Sequence, residues 1–313
     1  KSVLEVDNGA DTHTRSTMQA ARALIANHLP WRMVTRKSIG QLPRFKTLVL
    51  SNVHHLSAEE IAAIRDWVQA GGTLYASGAT SLVLNTGQRQ PDFMLSEVFG
   101  VSLVKANWTD REHYVSPTEA GRAEFPGWDA KYPAFVRGPT MEVRAHAGST
   151  VLATRTLPWP APDARSFSSI HSNPPWQVTD QPEVVHHRFG QGAAIYSASL
   201  LEEVVTLQES LVCLVRRLCP RPTFEVTAHP AVEATLFHQP DRRRYVLSLV
   251  NFQHDLPNVP IDGITVRLRL PQPVKSVRVL PAGRMLQLRR EGGAVTFAAP
   301  RLATLLRLAL NQE

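Results

Sequence analysis

Cysteine is almost missing from this chain: Cys213 and Cys219 are the only two among 313 residues. They fall on one segment of helical spacing but on different faces, so they do not bridge each other. No CxxC pair, no Cys/His zinc spacing and no disulfide framework exists, and the sequence offers neither a metal site nor a motif for a cofactor. Lysine is scarce too, at Lys1, Lys37, Lys46, Lys105, Lys131 and Lys275. The formal charge of +7 therefore rests on arginines scattered among acidic residues. The densest basic runs, Arg242-Arg243-Arg244 and Arg289-Arg290, are too small for an electrostatic footprint, which argues against a nucleic-acid partner. No apolar run approaches the ~20 residues that cross a bilayer, so no membrane partner is expected. The sequence begins at Lys1 and shows no signal peptide. The expectation is a piece of a longer protein, with a cytoplasmic location favoured.

What remains is ordinary globular material, 43% hydrophobic and 19% charged, long enough for two domains. Residues 56–82 (LSAEEIAAIRDWVQAGGTLYASGATSL) organise the first. Ser57 and Glu60 form a capping box, flanked by Leu56 and Ile61 as a hydrophobic staple. Ile61, Ile64, Trp67 and Val68 recur on one helical face, and Gly71-Gly72 ends the helix. A strand at 47–53 precedes it and a buried strand at 73–77 follows. Strand, helix and strand joined by short loops predict a βαβ unit in a parallel sheet.

The same order extends upstream, with a strand at 2–6, a helix carrying Met18, Ala21, Leu24 and Ile25, and a strand at 31–35. Ligands of such open sheets dock at the carboxyl ends of strands. That rim carries Asp7, Asn8, His13, Asn52, His54, His55, Ser77 and Thr80. Asp7, His54 and Ser77 are the candidate binding residues there, against a plainer reading as solvated turn residues.

Residues 101–156 read mostly as strands, and 183–199 as a hairpin turning at Gly190-Gln191-Gly192. Between them, 155–182 loses all periodicity. Pro158, Pro160, Pro162, Pro174, Pro175 and Pro182 stiffen it, and it is predicted to be one long ordered loop. Within it His171, Asn173 and Trp176 combine hydrogen-bonding groups with an aromatic face, a pairing that suits a sugar. The plainer alternative buries Trp176 and lets His171 cap a turn. His186 and His187, adjacent on a strand, point to opposite faces and cannot chelate one metal together. An apolar helix face from Val204 to Leu218 closes this domain. The acidic pairs Glu59-Glu60 and Glu202-Glu203 are read as helix-start residues complementing the dipole, and none as catalytic.

Cys219-Pro220-Arg221-Pro222 marks the boundary, giving domains 1–220 and 221–313. Beyond it about seven short strands with Pro and Gly turns predict a small antiparallel β-sandwich.

Three passages carry a family resemblance: 47–50 with 67–74, then 188–196 (RFGQGAAIY), then 245–252 (YVLSLVNF) with 277–281. The first domain resembles the flavodoxin and class I glutamine amidotransferase pattern, a mostly parallel sheet with flanking helices. Laid on that pattern, Gly78 stands where the cysteine nucleophile would be. The succession of both domains is similar to the C-terminal part of family 42 β-galactosidases and related α-L-fucosidase- or amylase-like hydrolases, whose middle region is the β-galactosidase trimerisation domain. In that family two glutamates on an N-terminal barrel do the glycosidic chemistry. This chain has no eightfold βα pattern to hold them. The resemblance implies a non-catalytic accessory region of a glycoside hydrolase in carbohydrate metabolism. It implies a homo-oligomer, with carbohydrate and a catalytic barrel, its own or a neighbour's, as partners. An autonomous sugar-utilisation enzyme on the same scaffold and a carbohydrate-binding module using Trp159 and Trp176 are the alternatives.

Overall fold

The structure is a computed structural model, and it describes residues 12–159 and 173–312. They fall into two compact units, 1–20 with 33–220 and 21–32 with 221–313. The predicted strand at 2–6 lies outside the described residues.

In the first unit, α1 (Thr12–Ala26) begins the described chain and runs on past the unit's first division. There follow β1 (Thr47–Leu50), β2 (His55–Leu56), α2 (Ala58–Gln69), β3 (Thr73–Ser77), β4 (Val83–Leu84) and α3 (Ser96–Phe99). Then come β5 (Val101–Pro117), β6 (Ala134–Ala145), β7 (Thr150–Pro158), β8 (Pro175–Phe189), β9 (Gly192–Ser197) and α4 (Gln208–Leu218). The predicted strand at 31–35 is absent. Those residues have no regular structure and lead into a 3-10 turn at Arg36–Arg44. Trp31 and Met33 stand exposed, so the alternation there never meets a pairing edge.

The main sheet has the order β1-β3-β9-β8-β7-β5-β6. Its pairings β1·β3 and β3·β9 are parallel and the other four antiparallel, so among the described residues the sheet is mixed and not mostly parallel. The reason is connectivity. Parallel neighbours need a crossover, which α2 supplies between β1 and β3, whereas among the described residues no α-helix intervenes between β5 and β9.

The predicted βαβ unit forms with its reciprocal cap. The Ser57 amide donates to Glu60 Oε2 at 2.8 Å, and the Glu60 amide donates to Ser57 Oγ at 3.2 Å. Ile64, Trp67 and Val68 bury the inner face of α2 in a core with Leu74, Ala76, Ala194 and Tyr196. Burying side chains of this size stabilises by about 1.5–3 kcal/mol each. The helix ends so close to β9 that a Cβ on Gly192 would lie 2.1 Å from the Gly72 carbonyl oxygen and 2.2 Å from that of Val68. Only glycine permits that backbone contact.

The second unit contains two four-stranded antiparallel sheets. One orders β10 (Phe224–Thr227), β13 (Thr265–Leu268), β16 (Ala294–Ala298) and β15 (Arg289–Glu291). The other orders β11 (Val232–Gln239), β12 (Arg244–Asn251), β17 (Leu305–Gln312) and β14 (Val274–Leu280). Alternate residues such as Tyr245, Leu247 and Leu249 of β12 and Leu306, Leu308 and Leu310 of β17 supply one core with Val266 and Phe297. The Arg242-Arg243-Arg244 run falls at the β11–β12 turn, where Arg243 is left-handed at φ 46°. Among the described residues no helix is long and apolar enough to cross a membrane.

Candidate functional site

The carboxyl ends of β1 and β3 meet at a filled elbow. The chain leaves β3 through Gly78 at φ +56°, and the Gly78 amide donates to the Ser197 carbonyl at 2.9 Å. Asn52, also left-handed at φ 52°, turns its side chain into the elbow. Its Oδ1 accepts from the Ala79 amide at 3.0 Å and bonds His54 Nε2 at 2.9 Å. A Cβ built on Gly78 would lie 2.5 Å from Asn52 Oδ1 and 2.6 Å from Leu200 Cδ2. The space that a side-chain nucleophile at position 78 would need is occupied.

The neighbouring hydroxyls are committed to the protein. Ser77 is fully buried, donates to Glu202 Oε1 at 2.5 Å and accepts from the Asn52 amide at 3.1 Å. Thr80 Oγ1 lies 2.7 Å from the Ser77 carbonyl and accepts from the Val53 amide at 3.0 Å. Glu202 also accepts from the Tyr75 hydroxyl at 3.3 Å. Burial pushes the Glu202 carboxyl up to about 7, the Ser77 hydrogen bond offsets part of this, and the adjacent Glu203 adds to the rise. Glu203 faces the other way and holds Arg15 and Ser16 of α1. Glu202 is thus a core residue on a short 3-10 turn, not a helix-start residue complementing a dipole.

His54 is likewise inside. Because Asn52 Oδ1 already accepts from a backbone amide, it is an oxygen, and His54 Nε2 must carry the proton between them. The other ring nitrogen, Nδ1, is buried and has no hydrogen-bond partner among the described residues. Burial, followed by the charges of His13, His55 and Arg89, lowers the His54 pKa to about 3. The ring packs edge-on against Trp108 at 5.6 Å, and the Arg89 guanidinium covers Trp108 at 4.8 Å. Of the three rim candidates, His54 and Ser77 are brought together through Asn52, and Asp7 lies outside the described residues.

The second candidate group is divided. His171 lies outside the described residues. Asn173 is half-buried, its Nδ2 3.5 Å from Glu112 Oε2 and its carbonyl accepting from the Tyr114 hydroxyl at 2.5 Å. Trp176 is half exposed and stacks edge-to-face on Trp159, the centroids 5.4 Å apart. The flanks of the predicted loop over 155–182 are strand, since β7 runs to Pro158 and β8 begins at Pro175, and 160–172 lie outside the described residues.

Sequence reasoning missed a buried network at the ends of that segment. Arg155 Nη2 donates to Glu183 Oε2 at 2.7 Å, to Thr140 Oγ1 at 2.6 Å and to the Met141 carbonyl at 3.1 Å. The Ser199 hydroxyl donates to Thr140 Oγ1 and lies 3.0 Å from His113 Nε2. Burial alone would raise the Glu183 carboxyl, but the Arg155 guanidinium and His113 more than offset it and hold it at about 2. Glu183 therefore stays ionised, whereas the Glu202 carboxyl is shifted towards its neutral form. Among the described residues no group of three or more His, Cys, Asp or Glu side chains gathers to hold a metal ion.

No family model matches this chain. No curated protein matches its sequence. Solved structures do match its fold. α-L-Fucosidase isoenzyme 2 from Paenibacillus thiaminolyticus superposes with a TM-score of 0.77 at 22% identity, over 96% of this chain and 45% of that one. Gan42B, a GH42 β-galactosidase from G. stearothermophilus, does so with 0.67 at 15% identity, over 99% and 38%. A β-galactosidase from Bacillus circulans sp. alkalophilus gives 0.63 at 13%, over 95% and 37%. These identities speak to fold alone, and this chain spans less than half the length of each of these proteins.

Proposed function

We propose that this chain is the accessory, non-catalytic region of a multidomain glycoside hydrolase acting in carbohydrate metabolism. In this reading the first unit, an amidotransferase-like domain of the β-galactosidase trimerisation type, holds subunits together. A catalytic barrel, in the same polypeptide or a neighbour's, does the glycosidic chemistry. The observation that carries the reading is the filled elbow. Gly78 has no room for a side chain, and Ser77 and Thr80 spend their hydroxyls inside the protein. A buried hydroxyl that donates to a buried carboxyl is a packing device, because a nucleophile must reach a substrate and a base. The fold likeness to an α-L-fucosidase and to β-galactosidases, over all but a few per cent of this chain, supports the same reading.

The assembly role is tested by sedimentation velocity of the purified chain at micromolar concentration. Self-association to a discrete oligomer is expected. A clean monomer across that range would remove the assembly role.

A further inference from the structure

The antiparallel half of the main sheet carries an exposed aromatic group that the elbow does not involve. Phe135 on β6 faces Tyr114 on β5, Tyr114 faces Thr156 on β7, and Thr156 faces Val178 on β8. Cross-strand partners project from one side, so Phe135, Tyr114 and Val178 share a face. The alternating His113, Val115, Ala134 and Val136 are buried on the opposite face. Phe135 is 42% and Val178 58% exposed, while Thr156 between Tyr114 and Val178 is buried and hydrogen-bonded to Ser116. Tyr114 and Phe135 meet edge-to-face at 5.4 Å.

The Tyr114 hydroxyl, bonded to the Asn173 carbonyl, ties this face to the start of β8. There Leu157 faces Gln177 and Pro158 faces Pro175, which leaves Trp176 as an extra residue of the ladder without a partner. Trp176 is 51% exposed and braced by Trp159, whose amide donates to the Pro174 carbonyl at 2.8 Å.

We infer that this aromatic face is a binding site for a neutral saccharide chain. Flat, rigid rings present apolar faces that suit the CH face of a pyranose, and Glu112 and Asn173 border them with hydrogen-bonding groups. The charges on the face oppose each other, since Glu112 is the cross-strand partner of Arg137. A face balanced in this way favours a neutral ligand over an ionic one. Size argues in the same direction. The exposed apolar surface of Phe135, Val178 and Trp176 is on the order of 300 Å², whereas a stable protein interface takes about 800 Å² from each partner. Four adjacent strands span roughly 14 Å, the reach of a short oligosaccharide. The site does not depend on the accessory role and stands or falls without it.

The full chain is run in native gels containing soluble galactan, galactomannan or xyloglucan, and compared with Trp176→Ala and Trp176→Phe. At least one polysaccharide is expected to retard the parent chain. Trp176→Ala should weaken that retardation roughly tenfold, with Trp176→Phe retaining most of it and both variants keeping the parent's thermal midpoint. Retardation by none of the three, or equal retardation of parent and Trp176→Ala, overturns the site. A Trp176→Ala chain whose sedimentation coefficient falls from the parent's value also overturns it, because the face then belongs to a protein interface.

Discussion

The Ser77 hydroxyl donates to the Glu202 carboxyl across 2.5 Å, at a place where neither residue reaches water. The pair joins the end of β3 to the turn after β9, and its partners are Tyr75 and the Asn52 amide. With no cation bonded to Glu202 among the described residues, burial favours the neutral carboxyl.

A pH dependence follows, and its sign is set by the direction of the shift. The folded pKa of Glu202, about 7, lies above the ordinary carboxyl value of 4.5. Its contribution is fully present below the unfolded value and is lost as pH rises through the folded one. Relative to Glu202→Gln, the parent chain should lose on the order of 3 kcal/mol of unfolding free energy between pH 5 and 8.5. Urea titrations at intervals across that range measure it. Parallel pH profiles for parent and variant would contradict a neutral buried Glu202.

Filling the elbow should be costly. In Gly78→Ala the added Cβ meets Asn52 and Leu200 while the backbone stays left-handed. Strain and overpacking together predict a loss above about 2 kcal/mol in a denaturant melt. Gly78→Cys should behave the same way and gain no glutaminase activity. A stable Gly78→Cys chain with a reactive thiol would show that the elbow is open.

His54 should stay neutral well into acid. Its pKa of about 3 lies below the ordinary 6.5. The stability this gives is complete above pH 6.5 and is lost as pH falls towards 3. Nitrogen-15 spectra of the imidazole at pH 5 should show a protonated Nε2 and a bare Nδ1. A His54 that titrates near 6.5 would mean that the ring is solvated.

The Arg155–Glu183 pair should show the asymmetry of a buried ion pair. Arg155→Met strands the Glu183 carboxylate and is expected to cost about 3–5 kcal/mol, while Arg155→Met with Glu183→Leu recovers much of it. A double-mutant cycle on thermal or urea unfolding measures the coupling, and simple additivity of the two losses would contradict it.

What the sequence disclosed was local. Ser57, Glu60 and the Ile64–Trp67–Val68 stripe lie within a few turns of one another, so capping and periodicity identify α2 directly. The hairpin at Gly190-Gln191 and most strands of the second unit were legible for the same reason. The pairings that matter at the elbow are remote: Ser77 meets Glu202, and Arg155 meets Glu183, across long stretches of chain. Neither contact leaves a spacing to read. Residues 155–182 looked like pure loop because Pro158, Pro175 and Pro182 lack amide donors. The β7–β8 ladder accommodates them through repeated register shifts, which erase the alternation that reveals a strand. Trp31 and Met33 misled in the opposite sense, since apolar alternation without a partner edge makes no strand.

The central claim is that this chain carries structure and not chemistry at its elbow, and the most direct test is turnover. Purified, folded chain is incubated with aryl α-L-fucoside, aryl β-D-galactoside and glutamine, beside Ser77→Ala and Glu202→Gln. The account predicts no product above background from any of the three proteins. Steady turnover by the parent chain that disappears in Ser77→Ala or Glu202→Gln would contradict it.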